Sequence, residues 1–64
     1  MRYREVVKAL KKNRWVEVRS TGSHHQFRNP DSCFVVTVPC HKDKDISIGV
    51  LKNIERTTGL SLRR

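Results

Sequence analysis

The residues best suited to chemistry lie in the segment from Gly22 to Phe27, where a glycine turn leads into two adjacent histidines. Histidine exchanges protons near neutral pH because its unperturbed pKa is about 6.5. RNA offers such a group a target, since a base that removes the proton of a 2′-hydroxyl lets that oxygen attack the neighbouring phosphorus. His24 is therefore a candidate acid–base residue acting on an RNA backbone; the alternative is a surface histidine that only forms hydrogen bonds.

The chain is short and strongly basic, which limits the functions it can have. Its 64 residues predict one domain over 1–64, too small to enclose a deep pocket, so we expect no cofactor. Fourteen Lys and Arg against six Asp and Glu give a net charge of +8. This excess favours a polyanionic partner (RNA, DNA or an acidic protein) over a membrane surface. The sequence lacks an apolar run that could span a bilayer and a secretion signal, so we expect a cytoplasmic protein.

Hydrophobic periodicity predicts two helices and three strands, because apolar residues recur at helical spacing near both ends of the chain and alternate between them. The predicted elements are a helix over 3–12, strands over 15–19, 24–28 and 33–39, and a helix over about 48–58. The order α-β-β-β-α with short turns indicates an α+β fold. In that fold a three-stranded antiparallel meander carries both helices on one face and leaves the other face open.

Alternation along each strand predicts which side chains share a face. In the second strand Phe27 should face the core with His25 beside it, so the opposite, open face receives His24, Gln26 and Arg28. The other strands should alternate in the same way, with Val16 and Val18 pointing one way and Trp15, Glu17 and Arg19 the other, and with Phe34, Val36 and Val38 alternating with Val35, Thr37 and Pro39.

Local signals predict where the first elements turn. Asn13 should end the first helix. Gly22 should adopt a positive φ in the turn between the first two strands, since it has no Cβ to clash there. The segment Asn29-Pro30-Asp31-Ser32 has the composition of a type I turn.

The second helix has recognisable ends in the sequence. Ser47 should cap its N-terminus, with Ile46 and Leu51 packed across the cap. Its buried stripe should consist of Ile48, Leu51 and Ile54. Gly59 and Leu60 should close it, and residues 61–64 should fray.

Basic and turn residues around the open face, with Lys11 and Lys12 extending the track along the first helix, are candidates for contacts with RNA phosphates, whose extra negative charge those near the face would stabilise during cleavage. The predicted nucleic-acid-binding residues are Lys11, Lys12, Arg19, Gly22, Ser23, Arg28, Lys42 and Lys44. For any single lysine a solvated surface position is the commoner explanation. The net charge of the chain argues for a function of the whole set.

The potential metal ligands do not follow a known spacing. They are His24, His25, Cys33, Cys40 and His41, which include no Cys-x-x-Cys pair, and adjacent strand residues point to opposite faces. An extended strand would separate the two cysteines by about 23 Å, beyond the reach of a disulfide. We therefore expect no metal and no internal disulfide, and we interpret the cysteines as small buried thiols.

Several motifs resemble the HicA family of mRNA interferase toxins. They are Gly22-Ser23-His24 followed by Phe27, then Val36-Thr37-Val38-Pro39-Cys40-His41, then Ile48-Gly49-Val50-Leu51 with Ile54, and the closing Thr58-Gly59-Leu60. The resemblance covers nearly the whole chain. It implies a double-stranded-RNA-binding-domain-like fold, cleavage of mRNA and inhibition by a HicB-type antitoxin.

The resemblance also implies roles for individual residues. It gives the functional role to His24, the histidine after Gly-Ser, and it leaves His25 at a variable position. Independently of the resemblance, His41 in the charged loop after the third strand could be a second acid–base group, although a loop histidine is more often solvated. The chain departs from the family at Arg14, where many members have a glycine before the aromatic residue, so we expect the turn there to differ.

Three functions remain compatible with the sequence. The favoured one is a metal-independent endoribonuclease toxin. A small RNA-binding module without catalysis would use the same fold and charge to bind A-form RNA by its shape. A cationic interaction domain would bind an acidic protein, and an antitoxin that covers His24 would satisfy this hypothesis and the first one together.

Overall fold

The computed structural model describes residues 1–40 and 44–62, and these contain two helices and three strands. The elements are α1 (Tyr3–Lys12), β1 (Val16–Thr21), β2 (His24–Arg28), β3 (Val35–Pro39) and α2 (Ile48–Thr58). The predicted α+β fold is confirmed: an open three-stranded antiparallel sheet carries both helices on one face. α1, β2 and α2 have the predicted bounds, whereas β1 runs further along the chain and β3 begins later than predicted.

The sheet has the order β1-β2-β3, so β2 is central and pairs antiparallel with both neighbours. Residues that face each other on adjacent strands point to the same side of the sheet. On the helical side Phe27 faces Val36, and His25 faces Val38. The alternate residues of β2 therefore point to the open side, as predicted: His24, Gln26 and Arg28.

One core joins the sheet to both helices. Its buried side chains are Val6, Leu10, Trp15, Phe27, Val36, Val38, Ile46, Leu51, Ile54 and Leu62. Phe27 is fully buried, which confirms the predicted orientation of β2. Because a buried aromatic residue fixes the face of a strand, the neighbouring His24 is directed away from the core.

Three apolar residues near the ends of elements do not lie where the periodicity placed them. Ile48 is 62% exposed at the first position of α2, and Phe34 is 58% exposed because β3 begins only at Val35. Leu62, expected in a fraying tail, is buried, and its N–H donates to Glu55 Oε2 at 2.8 Å. The chain after α2 therefore returns to the core at least as far as Leu62, and Arg63 and Arg64 lie outside the described residues.

The capping predictions for α2 are confirmed. The Ser47 hydroxyl accepts the N–H of Val50 at 3.3 Å, and Ile46 and Leu51 are both buried across the cap. At the other end Gly59 adopts φ 77°. The N-terminus of the chain is tied to the start of this helix, because the N–H of Ile46 donates to the Met1 carbonyl at 2.7 Å.

The turn of residues 29–32 also forms as predicted. The N–H of Ser32 donates to the Asn29 carbonyl at 3.0 Å, and the N–H of Asp31 donates to Asn29 Oδ1 at 2.8 Å. The Asn29 amide also donates to the Asn13 carbonyl at 3.0 Å. This contact fixes the β2–β3 turn against the end of α1.

α1 ends in a Schellman motif that places an arginine in a conformation suited to glycine. The N–H of Trp15 donates to the Leu10 carbonyl at 2.9 Å, and the N–H of Arg14 donates to the Lys11 carbonyl at 3.2 Å. Asn13 is the C-cap, as predicted, and Arg14 follows it with φ 75°. Arg14 therefore adopts the left-handed geometry typical of glycine although it carries a side chain.

Replacing Arg14 with glycine should raise the free energy of unfolding by about 0.5–1 kcal/mol. The left-handed conformation costs a non-glycine residue about 1–2 kcal/mol, and glycine's freedom in the unfolded chain offsets part of the gain. The exposed ion pair between Arg14 and Asp31, at 2.8 Å, contributes little. Thermal unfolding followed by circular dichroism should show a melting temperature higher by about 2–8 °C.

The matched control is Arg14→Ala, which also removes the ion pair but keeps a Cβ in the left-handed conformation. It should be no more stable than the wild type. An alanine variant stabilised as much as the glycine variant would show that backbone strain at this position is not the cause.

Candidate active site

His24 is the first residue of β2 and lies exposed on the open face of the sheet. It faces Thr21 on one side and Pro39 on the other. Within residues 1–40 and 44–62, no side chain forms a hydrogen bond or ion pair with its imidazole. Both ring nitrogens are therefore available to a molecule that approaches the open face.

The turn before His24 is held on both sides. Gly22 adopts φ 59°, as predicted, and a Cβ added to it would meet no atom within 4 Å, so the requirement for glycine is conformational rather than steric. The N–H of Cys40 donates to the Ser23 carbonyl at 2.6 Å, which extends the pairing of β2 with β3 into the turn. This bond restrains the backbone immediately before the candidate base.

A β-bulge in β1 changes the predicted position of Arg19. Strict alternation assigns Arg19 to the side of Glu17, but the register shifts between these residues, so that Glu17 faces Phe27 and Arg19 faces Gln26. Val18 is the additional residue. Since Gln26 points to the open side, Arg19 does too, and the predicted alternation of β1 is wrong from Val18 onward.

The bulge places Arg19 beside the candidate base. Thr21 faces His24 and Arg19 faces Gln26, so Arg19 is the diagonal neighbour of His24, with about 7–8 Å between such Cα atoms. A long arginine side chain can span that distance. Thr21, which the sequence placed in the turn, is part of β1 and is a neighbour of the site that sequence reasoning missed.

The far end of the open face combines one cation with exposed valines. Arg28 faces Val16 and Val35, which are 59% and 43% exposed. Arg28 lies four residue steps along the strand from His24, or about 13 Å away. Arg28 is therefore placed to contact a more distant phosphate or a partner protein, but it is too far away to act on the same atom as His24.

His25 lies on the other face, as predicted, where its ring contacts side chains of the protein. Its ring lies 5.2 Å from that of Tyr3 between centroids, and its Nδ1 lies 3.2 Å from Glu17 Oε2. Burial raises the pKa of the Tyr3 phenol, and the nearby charges of Glu17 and then Cys40 raise it further. The two adjacent histidines thus have different environments, and the one on the open face is His24.

The predicted nucleic-acid-binding residues do not all lie together. Gly22, Ser23, Arg19 and Arg28 surround His24 or share its face. Lys11 and Lys12 are in the last turn of α1, in the helical layer on the opposite side of the sheet. Lys44 is exposed ahead of α2, whereas Lys42, with His41 and Asp43, lies outside the described residues.

The cysteines do not form a site. Both are free thiols, but Cys33 is exposed, so its interpretation as a buried thiol was wrong, while Cys40 is half-buried. In the described part of the chain, no three His, Cys, Asp or Glu side chains are grouped closely enough to hold a metal ion. Neither α1 nor α2, the helices of that same part, has the length and apolar character needed to cross a membrane.

Comparison with known proteins identifies the family of this chain. The family model described as the HicA toxin of bacterial toxin–antitoxin systems matches residues 3–60. The comparison with curated proteins gives no match. The matched region runs from the first residue of α1 to beyond the end of α2 and includes His24 with its turn. The chain therefore belongs to the HicA toxin family of bacterial toxin–antitoxin systems.

Proposed function

We propose that this protein is a metal-independent endoribonuclease that cleaves mRNA, with His24 as its acid–base residue, and that a HicB-type antitoxin inhibits it. The observation that carries the proposal is the position of His24, exposed on a sheet face with both ring nitrogens unengaged by the described residues. Membership of a toxin family of toxin–antitoxin systems supports it, because such a toxin needs a target in the cell and a protein that restrains it.

The reaction uses a nucleophile that RNA itself carries. His24 in its neutral form accepts the proton of a 2′-hydroxyl, and the 2′-oxygen bonds to the adjacent phosphorus. The bond from phosphorus to the 5′-oxygen breaks, leaving a 2′,3′-cyclic phosphate on one fragment. The 5′-oxygen of the other fragment takes up a proton from water and becomes a 5′-hydroxyl, and the protonated His24 returns its proton to the hydroxide that remains. Proton transfer to a positioned base typically accelerates such steps by about 10²–10⁴-fold.

Arg19 supplies a positive charge that stabilises the transition state, which the neutral His24 does not provide. As the 2′-oxygen attacks, the phosphoryl group gains negative charge, and a guanidinium can donate two parallel hydrogen bonds to its oxygens. Arg19 is the diagonal neighbour of His24, so one phosphodiester can lie within reach of both side chains. Arg28, further along β2, then binds a different phosphate of the same RNA molecule.

The antitoxin is proposed to bind the open face. That face exposes His24 and two arginines, and beside them the apolar side chains of Val16 and Val35. A protein with acidic side chains and an apolar contact region matches this combination of charge and exposed valines. An antitoxin bound there would exclude RNA by occupying the same surface.

Replacing a single ribose with deoxyribose on the 5′ side of a mapped cut should abolish cleavage of that bond, because the 2′-oxygen is the nucleophile. Neighbouring bonds in the same RNA should still be cut, which serves as the internal control. End-group analysis of the products should find 2′,3′-cyclic phosphate and 5′-hydroxyl ends. Addition of the antitoxin should suppress all cutting.

Two outcomes of this experiment would contradict the proposal. Products with 3′-hydroxyl and 5′-phosphate ends would require water, not the 2′-oxygen, as the nucleophile. RNA that is shifted in a gel by the purified protein but stays intact would instead support a binding module without catalysis.

A further inference from the structure

Most of the described cations that lack an ion pair are not on the open face but on the outer surface of the helices. The set consists of Arg4, Lys8, Lys11, Lys12, Lys52 and Arg56, and all six are exposed. In residues 1–40 and 44–62 the ion pairs involve Arg2, Arg14 and His25, so none of the six is paired there. We call this set the helical basic surface. The open face, by comparison, carries Arg19 and Arg28.

The cations of α1 form a continuous stripe. Arg4, Lys8 and Lys11 follow one another at spacings of four and three residues, with Lys12 beside them, so they lie on one side of the helix. The buried residues Val6 and Leu10 lie on the side that faces the sheet. The stripe therefore points away from the sheet and extends about 10 Å along the helix axis.

The N-terminal part of this arrangement is unfavourable for an unliganded helix, whereas Lys11 and Lys12 lie in the last turn, where the helix dipole favours a cation. Like charges four residues apart, as at Arg4 and Lys8, destabilise a helix by about 0.2–0.5 kcal/mol for each pair. Arg4 also lies in the first turn, where the helix dipole disfavours a cation. The neighbouring acidic groups are engaged elsewhere: Glu5 accepts the Arg2 N–H at 2.8 Å, and Glu55 accepts the Leu62 N–H at 2.8 Å. A polyanionic ligand would relieve the repulsion.

We propose that the helical basic surface is a second RNA-binding site, which holds the phosphate backbone of long RNA while the open face cleaves it. The inference rests on the proposed function for its ligand. The protein measures 31 × 28 × 18 Å, so a long RNA can pass around its edge from one face to the other. A short oligonucleotide covers the open face only. The helical basic surface therefore contributes to affinity for long RNA and not to the chemistry at His24.

The test compares two RNAs and two variants. The triple variant Lys8→Gln/Lys11→Gln/Lys12→Gln should bind a long RNA about tenfold more weakly, and the slope of log affinity against log salt concentration should be shallower by about two. It should cleave an oligonucleotide of about six nucleotides at the wild-type rate, since that length approaches the smallest single-stranded binding sites. The control is Arg14→Gln, which removes one charge outside this surface and should leave the slope unchanged.

The results separate this inference from the proposed function. A triple variant with wild-type affinity and salt slope on long RNA would overturn the inference. An acidic protein would then be the better candidate ligand of the helical basic surface. Equal loss of cleavage on short and long RNA would also overturn it, because the lysines would then act on the reaction itself. If the wild type cleaves neither RNA, the proposed function fails, while the change in salt slope still tests the second site.

Discussion

The His24→Ala variant should bind RNA with wild-type affinity and cut it at least about 100-fold more slowly, the lower limit typical for loss of a positioned base. His24 is exposed and makes no contact with a described side chain, so its removal should change the free energy of unfolding by less than about 0.5 kcal/mol. Cleavage rates measured at saturating RNA, with thermal unfolding as the check on folding, separate the loss of chemistry from the loss of structure.

His25→Gln provides a control from the adjacent position. His25 points to the opposite face, where it contacts Tyr3 and Glu17. Its replacement should lower stability slightly and leave the cleavage rate of the folded protein unchanged. If the folded His24→Ala variant cut RNA at the wild-type rate, or if His25→Gln had the larger effect, His24 would not be the base.

The position of His24 was predictable because a single buried residue fixes it. Phe27 is three residues away on the same short strand, and a large aromatic residue in the middle of a strand is most often buried, as Phe27 is here. Alternation then determines the face of every residue between them, and the strand is regular from His24 to Arg28. The predicted faces failed where a strand is irregular and where an apolar residue lies near the end of an element.

The bulge at Val18 could not be predicted from composition. Such irregularities are often marked by glycine, but the segment Glu17-Val18-Arg19 contains none and alternates as a regular strand would. The register is set by how β1 pairs with β2, which the local sequence does not encode. The consequence is positional, because this one extra residue decides that Arg19 lies on the face of His24.

The errors at Ile48, Phe34 and Leu62 all concern residues at or beyond the end of an element. Helical and strand periodicity predicts burial along the middle of an element, where neighbouring elements cover it. At the ends of an element, burial depends on which surface lies opposite, so Ile48 and Phe34 are exposed although they are in phase with the core. Leu62 has no periodic context at all, and it is buried because the chain after Gly59 returns to the core.

The Arg19→Ala variant should lower kcat by about 10²–10³-fold, as loss of a group that stabilises a developing negative charge does in other enzymes. The bulge at Val18 directs Arg19 to the open face, where it is the diagonal neighbour of His24. Its guanidinium interacts more strongly with the phosphoryl group as that group gains charge, so KM should change less than kcat. Single-turnover cleavage of a short RNA measures the two constants separately.

Two further variants show whether position or charge matters. Arg28→Ala removes an equal charge from the same face about 13 Å from His24, so it should raise KM and leave kcat nearly unchanged. Arg19→Lys keeps the charge but not the two parallel hydrogen bonds, and should recover part of the lost kcat. If Arg19→Ala and Arg28→Ala both changed KM alone and by similar factors, Arg19 would only bind the RNA backbone, and its place beside His24 would have no consequence for the chemical step.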